Sequence, residues 1–179
     1  RNLLNDNDEE VFNLWRVVEE RRDELVELWG RMPIDQKLFM YWKRHRETDP
    51  VRRALRFLFL SNFGLLGKHN TMRVFTANTK RLVTDRIHEA QRMLADSEFL
   101  CQDFRTVLRL VKGNKQLSSA FVYADPPYLG TTNNYQKGGF TERDSTDLFD
   151  LLEETGARFA MSEFDHPFIM RQAKERGLR

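Results

Sequence analysis

The chain has 179 residues, of which 40% are hydrophobic and 31% are charged, and its formal net charge at pH 7 is +2. This composition is typical of a globular domain with a core of its own. A single cysteine, Cys101, excludes an internal disulfide framework and a zinc site built from paired cysteines, and it is typical of the reducing cytosol. No apolar run approaches the roughly 18 residues that a membrane helix needs, so we expect a cytoplasmic protein.

Charge is distributed unevenly along the chain. Residues 1–36 hold ten acidic and five basic residues, whereas residues 37–81 hold eleven Lys and Arg against only Glu47 and Asp49. The basic segment also carries seven aromatic residues, a combination typical of nucleic-acid binding. A solvated basic helix face that covers an aromatic core has the same pattern, and charge alone does not separate the two.

The first half of the chain is predicted to be mainly helical. A short strand at Leu3–Leu4 turns at residues 5–8. Residues 9–29 then carry apolar side chains at helical spacing, with a break near residues 21–23. That pattern predicts one long or two shorter helices, which stop at Gly30.

Three further helices are predicted in and after the basic segment. Residues 36–46 form a basic helix. Asp49–Pro50 is a strong start signal, because an acid caps the helix and proline fits its first turn. That helix runs to Gly64. The last helix covers residues 84–95, with its cap at Thr84 or Asp85.

Strands and helices alternate in the second half. Strands are predicted at residues 99–101, 120–124 and 158–161, with helices at 105–111 and after a capping box at 141–144. The continuous apolar run at 120–124 predicts a strand buried on both faces, as in parallel sheets. The alternation predicts a doubly wound α/β sheet into which the basic helical block is inserted.

Three acidic residues fall just after predicted strands: Asp6, Asp103 and Asp125. Ligands bind at the carboxyl ends of strands in open α/β sheets, where an acid commonly accepts hydrogen bonds from ribose hydroxyls. A turn or a helix cap is the commoner role of aspartate, and it is the simpler explanation of Asp6 or Asp103 taken alone.

Residues 121–128 read FVYADPPY and carry the most specific signal. A predicted strand leads into Asp125, and Pro126 has no N–H to donate. The paired prolines hold the backbone extended, so the carboxylate and the adjacent carbonyl form a rigid cluster of acceptors beside Tyr128. Such a cluster suits a planar aromatic ring that bears an amino group. The alternative is a proline-stiffened turn with a packed tyrosine.

ADPPY after an apolar strand resembles the catalytic motif of the amino-directed DNA methyltransferases, and the chain as a whole resembles the Dam-like DNA adenine methylases. The resemblance implies a Rossmann-like class I methyltransferase sheet with an inserted helical DNA-recognition subdomain. It also implies S-adenosylmethionine as the cofactor. The implied catalytic residues are Asp125, Pro126, Pro127 and Tyr128.

The same resemblance implies residues that hold the cofactor. LLNDND is similar to the family's strand end whose acid holds the cofactor ribose, which points to Asp6. QDFRTVL is similar to the segment beside the cofactor adenine, which points to Asp103 and Phe104. Asp125 is implied as a further cofactor neighbour.

Two more segments resemble parts of the family's base-binding site. GGFTERD is similar to a Phe-Thr segment whose ring helps to sandwich the target base, which implies Phe140 opposite Tyr128. AMSEFD is similar to a later strand that ends in Ser-Asn: Ser162 matches, and Glu163 departs.

The helical insert takes the place of the family's DNA-recognition domain, with double-stranded DNA as the implied partner. The target adenine would be flipped out of the duplex, because its amino group cannot reach a cofactor inside the stack. Asn70 is the best candidate to read a base edge. The candidate DNA contacts are Arg52, Arg53, Lys68, His69, Asn70 and Arg73.

Two features depart from the family's usual pattern. Its Gly-rich cofactor loop would precede Arg1, so we expect the chain to be truncated there. In KHNTMRVFT, Arg73 and Thr76 stand where the family often has Gly and Asn, which leaves the recognition sequence open.

The principal prediction is a site-specific adenine methyltransferase with domains at residues 1–20 (core), 21–97 (insert) and 98–179 (core). The alternatives are a non-catalytic DNA-binding remnant of such an enzyme, or an amino methyltransferase of RNA or another base. We expect a monomer or weak dimer in the cytoplasm of a prokaryotic cell or phage-infected host, with no membrane and no metal. Restriction-modification is one of several roles that remain open.

Overall fold

The computed structural model divides the chain into two compact units, Arg1–Cys101 and Gln102–Arg179. It describes residues 2–64, 72, 78–112, 120–130 and 139–178. The predicted domain boundaries near residues 20 and 97 remain a prediction.

The first unit combines two strands with five helices within its described residues. In chain order these are β1 (Asn2–Asn5), α1 (Glu9–Glu20), α2 (Arg22–Arg31), α3 (Gln36–Arg44), α4 (Pro50–Phe63), α5 (Thr79–Leu94) and β2 (Ser97–Leu100). The described part of the second unit contains α6 (Phe104–Lys112), β3 (Phe121–Ala124), α7 (Glu142–Glu154), β4 (Arg158–Met161) and α8 (Pro167–Glu175).

Each unit contains a small parallel sheet. β1 pairs with β2 in the register Asn2↔Ser97 to Asn5↔Leu100. β3 pairs with β4 in the register Phe121↔Arg158 to Ala124↔Met161. The predicted α/β class with parallel strands is therefore confirmed. The single doubly wound sheet stays a prediction, because the described strands form two separate pairs.

Aspartates start several of the helices, because a carboxylate can accept the backbone N–H groups that a helix N-terminus leaves unpaired. Asp8 caps α1, Asp35 caps α3 and Asp49 caps α4. The predicted break between the first two helices is confirmed at Arg21.

The core of the first unit is aromatic, and α4 supplies its centre. The Phe59 ring lies 5.0 Å from that of Phe63 and 5.2 Å from that of Trp42, measured between centroids. Phe39 and Trp29 pack against the same two phenylalanines. Several aromatic residues of the basic segment thus belong to the hydrophobic core of the first unit. The positive charge of the segment lies on helices that pack on this core.

The prediction that residues 120–124 are buried on both faces is wrong. Val122 and Ala124 pack with a cluster formed by α6 and α7, whereas Phe121 and Tyr123 are 61% and 64% exposed. The cause is the two-residue period of a strand, which sends alternate side chains to opposite faces. An apolar sequence on both faces does not by itself provide a partner for each of them.

Two predicted helix ends also differ from the structure. The last helix of the first unit starts at Thr79, five residues before the predicted start, and follows Asn78 at φ 66°. Thr84 lies inside this helix, where its hydroxyl donates to the Lys80 carbonyl. At the other end of the basic segment, α3 stops at Arg44 rather than Arg46.

The Phe59→Ala substitution is expected to lower the free energy of unfolding of the first unit by about 3–5 kcal/mol, because it removes a fully buried ring and leaves a cavity. Urea denaturation followed by circular dichroism measures the loss. Met93→Ala is the control, since Met93 is 71% exposed. Equal effects of the two substitutions would contradict the assignment of Phe59 to the core.

Candidate active site

The segment from Asp125 to Gly130 leaves the carboxyl end of β3 and is held at both of its ends. At its start, the Ala124 carbonyl accepts a hydrogen bond from Ser162 N–H at 2.9 Å. At its end, Leu129 N–H donates to Glu163 Oε1 at 2.8 Å. We call residues 125–130 the DPPY loop.

Glycine is required at the end of this loop for a conformational reason. Gly130 has φ +78°, in the left-handed region that side chains rarely adopt. A Cβ atom built there would lie 3.6 Å from the His166 ring, in ordinary van der Waals contact. Backbone strain, rather than lack of space, therefore favours glycine.

A cluster of polar side chains forms around the DPPY loop. Tyr123 and Ser162 share a hydrogen bond between their hydroxyl groups. The negative charge of Asp125 is the main cause that raises the pKa of Tyr128; burial and a hydrogen bond to Asp125 add to it, and a hydrogen bond to Ser162 opposes it. The predicted catalytic residues Asp125 and Tyr128 therefore lie close enough for the charge of one to act on the other, and Ser162 is bonded to Tyr123.

The ring of Tyr128 packs against that of Phe164. Their centroids are 4.5 Å apart in an edge-to-face arrangement. Phe164 itself is 58% exposed. Asp125 is also exposed, and Pro126 and Pro127 are partly so, so solvent and ligands can reach the acceptors of the loop.

Sequence reasoning treated Glu163 only as a departure and did not identify Phe164. Glu163 accepts hydrogen bonds from Leu129 N–H and from Phe164 N–H. A signal was available: both residues directly follow β4, and the carboxyl ends of parallel neighbours lie at the same sheet edge.

Asp103 has the simpler role that the sequence also allowed. Its carboxylate accepts the backbone N–H of Arg105 at 2.8 Å, as a residue at the start of a helix does, and it also pairs with the Arg105 side chain. The predicted adenine neighbour, Phe104, lies beside the Arg105 guanidinium, which is 4.4 Å from the centre of its ring.

Arg105 is a second residue that sequence reasoning missed, and it joins two predicted parts of the site. Its guanidinium bonds to Asp144 and Asp147 of α7. Burial acts to lower the pKa of Arg105, but the hydrogen bonds to these two acids outweigh it and raise that pKa. No sequence signal relates Arg105 to acids some 40 positions further on.

Phe140 stands next to this ion-pair network. Its ring centroid lies 6.1 Å from that of Phe104. The next residue, Thr141, forms the predicted capping box with Asp144, which confirms the predicted start of α7. The Arg105–Asp144 pair thus fixes the backbone that carries Phe140 relative to the one that carries Phe104.

Asp6 lies at the carboxyl end of β1 in the first unit, as predicted. Its Oδ1 accepts a hydrogen bond from Asp8 N–H at 2.8 Å. Burial is the main cause that raises the pKa of Asp6; that hydrogen bond opposes it, and the charge of Asp8 adds to it. A half-buried carboxyl at a strand end has the chemistry to accept a sugar hydroxyl.

The predicted DNA contacts differ in their surroundings. Arg52 is exposed on α4. Arg53 forms an ion pair with Glu10 at 3.0 Å, so its charge is partly engaged within the chain. Lys68, His69, Asn70 and Arg73 lie outside the described residues.

Neither a metal centre nor a membrane-spanning helix is found in the part of the chain that the structure describes. No group of three or more His, Cys, Asp or Glu residues there could hold a metal ion. No helix there is both long enough and apolar enough to cross a membrane.

The second unit is a parallel α/β unit with an acid and a tyrosine in a proline-stiffened loop at a strand end. The family of D12 class N6 adenine-specific DNA methyltransferases matches residues 1–177. The chain belongs to this family, for which a Rossmann-like fold and the use of S-adenosylmethionine are typical.

Curated relatives agree with the family at low identity. The chain is 26% identical over 171 residues to a DNA adenine methylase of Salmonella typhi, covering 86% of this chain and 60% of that protein. It is 26% identical over 165 residues to the modification methylase StsI of Streptococcus sanguinis, covering 83% of this chain and 24% of that protein. The chain therefore spans only part of the length of the relatives it matches.

The Glu163→Ala substitution is expected to release the end of the DPPY loop, because Leu129 N–H loses its acceptor. Exchange of the amide hydrogens of the loop, Leu129 above all, should become faster, by about fivefold for a lost hydrogen bond of about 1 kcal/mol. Glu163→Gln keeps an acceptor oxygen and should have a smaller effect. Unchanged exchange at Leu129 in the alanine variant would contradict this role.

Asp144 provides a test of the ion-pair network through pH. Burial alone would raise the pKa of Asp144, but bonds from Thr141 and Arg105 together lower it below its ordinary value of 3.8. A carboxyl with a lowered folded-state pKa stabilises the fold above its unfolded-state pKa, and this contribution is lost as the pH falls through the folded-state value.

The stability difference between the wild type and Asp144→Asn is therefore expected to be largest near neutral pH and to shrink below about pH 3.8. Urea titrations across that range measure it. Asp165→Asn, which removes an exposed acid of the same unit, is the control for losing one carboxyl group. A difference that stays constant with pH would show that Asp144 acts only through helix capping geometry.

Proposed function

We propose that this chain is the part of a site-specific DNA methyltransferase that transfers a methyl group to the exocyclic amino group of a flipped adenine. The observation that carries this proposal is the DPPY loop. Its exposed Asp125 carboxylate stands beside Tyr128, and the loop is tied at both ends to the segment after β4. Family membership supports the reaction class.

Asp125 and the Pro126 carbonyl would accept hydrogen bonds from the adenine amino group. Two acceptors on a rigid backbone orient both N–H bonds, which leaves the nitrogen lone pair directed away from the loop. Withdrawal of N–H protons toward a carboxylate also increases electron density on the nitrogen. Catalysis would thus consist mainly of positioning and electrostatics, with no covalent intermediate on the protein.

Tyr128 would hold one face of the flipped base. Stacking of a base on an aromatic side chain is worth about 1–3 kcal/mol and tolerates any base. The contact of Phe164 with the edge of the Tyr128 ring would keep that ring in place. Phe140 would cover the opposite face, with its backbone fixed through Thr141, Asp144 and Arg105.

The residues present fit parts of S-adenosylmethionine, which supplies an electrophilic methyl group on a sulfonium centre when bound. Asp6, a half-buried carboxyl at a strand end, would accept hydrogen bonds from the ribose. Asp103 would lie beside the adenine of the cofactor, and Phe104 would contribute an apolar ring. Because Asp103 already caps α6 and pairs with Arg105, we assign it a weaker part than Asp6.

The site-specific part of the activity would come from the helical insert, which we propose as residues 21–97. Its cations would contact phosphates and set the register on the duplex, whereas base reading would fall to residues such as Asn70. Of the two arginines at the start of α4, Arg52 suits a phosphate better than Arg53, which is paired with Glu10.

The decisive experiment measures transfer of a labelled methyl group from S-adenosylmethionine to unmethylated duplex DNA. It is run on this chain and on a version extended upstream of Arg1. Asp125→Ala is expected to lower the rate by about 100-fold or more while DNA affinity is kept, because it removes an acceptor for the reacting amine. Glu175→Ala, which removes an exposed carboxylate from α8, is the control.

Comparable methylation by Asp125→Ala and the wild type would overturn the catalytic assignment. If neither length of chain labels adenine but both bind DNA in a salt-sensitive way, the chain acts as a DNA-binding module without catalysis. Labelling of RNA instead of DNA would assign the same chemistry to another nucleic acid.

A further inference from the structure

One charged surface of the helical insert contains none of the individually named DNA contacts: the solvent-facing side of α3. We call it the α3 face. Its residues line an open groove of about 440 Å³. They are Gln36, Lys37, Met40, Tyr41, Arg44 and His45.

Helical spacing explains why these side chains share one face. Lys37, Tyr41, Arg44 and His45 are separated by four, three and one residues, so they recur over two turns on the same side. The opposite side carries Phe39 and Trp42, which are buried. The α3 face is thus presented to solvent because the aromatic core holds the other side.

The positive charge of the α3 face is not neutralised within the described part of the chain. Residues 37–46 contain no acid, and neither Lys37 nor Arg44 has an acidic partner in the regions that the structure describes. The two nearest acids are engaged elsewhere: Asp35 caps α3, and Glu47 accepts a hydrogen bond from the Trp42 indole.

In contrast, arginines in α1, in α2 and between these two helices have acidic partners. Each of them pairs with a nearby acid: Arg16, Arg21, Arg22 and Arg31. The α3 face therefore carries two cations, Lys37 and Arg44, that have no acidic partner in the described part of the chain, next to helices whose arginines are paired. Such a face is complementary to a polyanion.

Two stacked aromatic rings lie on the same face. The Tyr41 and His45 rings are stacked, with centroids 4.2 Å apart and planes inclined by 14°. Along the helix, Tyr41 lies between Lys37 and Arg44, and it is 52% exposed. A flat ring between two cations suits a deoxyribose or base edge between two phosphates.

The α3 face is rigid, because the last turn of the helix is fixed to α4. Arg56 Nε donates to the carbonyls of Trp42 and His45 at 2.7 and 2.9 Å. Below them, the Trp42 ring meets that of Phe59 edge to face. A surface held in this way loses little conformational entropy when it binds.

We propose that the α3 face binds the phosphodiester backbone of duplex DNA, with Lys37 and Arg44 on phosphates and Tyr41 against a sugar between them. The proposal rests on the proposed function. Lys37 and Arg44 are separated by about 10 Å along the helix axis, roughly three nucleotide steps of one strand. The contacts add affinity and register without reading sequence.

The test compares the variant with both Lys37→Ala and Arg44→Ala with the wild type, on an unmethylated duplex between about 50 and 200 mM salt. The slope of log K against log salt is expected to become shallower by about 2, since each lost phosphate contact removes about 0.9. Affinity at the lower salt concentration should fall on the order of tenfold or more.

Two further variants separate this role from general charge and from folding. Arg109→Ala with Lys174→Ala removes the same charge from exposed positions of α6 and α8 and should leave the salt slope unchanged. Lys37→Arg with Arg44→Lys keeps both charges and should retain wild-type binding. Circular dichroism melts establish that each variant is folded.

The outcomes distinguish this proposal from the function on which it rests. Wild-type DNA binding with an unchanged slope in the α3 variant overturns the α3 proposal alone, and so does an equal loss in the Arg109–Lys174 variant. No DNA binding by the wild type in either length of chain overturns the DNA substrate itself. Methylation of adenine together with the selective slope change supports both.

Discussion

The parallel pairing of β3 with β4 determines the geometry of the proposed active site. Because both strands run in the same direction, their carboxyl ends lie side by side, and Ser162 N–H reaches the Ala124 carbonyl across the last rung. Asp125 and Glu163 then leave the same sheet edge although 38 positions separate them. A register shift of one residue would turn the Tyr123 hydroxyl away from Ser162, since strand side chains alternate between faces.

From this edge the stabilising contacts run outward in two directions. Glu163 holds the far end of the DPPY loop, and Phe164 contacts Tyr128. On the other side, Arg105 ties α6 to α7 through Asp144 and Asp147. The residues that make these contacts, Glu163 and Arg105, are not among the predicted catalytic residues. The proposed chemistry thus depends on charged side chains whose structural task is to keep two loops in place.

Local signals in the sequence predicted local structure well. The Asp49–Pro50 start, the capping box at Thr141 and the break near Arg21 each act within one helical turn, and all are confirmed. The position of Glu163 after β4 indicated the sheet edge, but the sequence could not predict its bond to Leu129 or the bonds of Arg105, because these partners are distant in the chain and are chosen by packing. The prediction that residues 120–124 are buried on both faces failed for a related reason. Apolar side chains on a strand face favour burial, but the neighbouring elements determine whether anything covers that face.

The same distinction applies to the cations of the first unit. Residue type alone assigns Arg53 and Arg44 the same affinity for phosphate. The structure pairs Arg53 with Glu10, and separating such a pair to bind DNA would forfeit one charge interaction to gain another. Arg44 has no acidic partner among the described residues, so a phosphate contact there breaks no ion pair within that part of the chain. The proposed binding surface is therefore selected by which charges the fold leaves unbalanced, and the aromatic core beneath α3 keeps them at a fixed spacing.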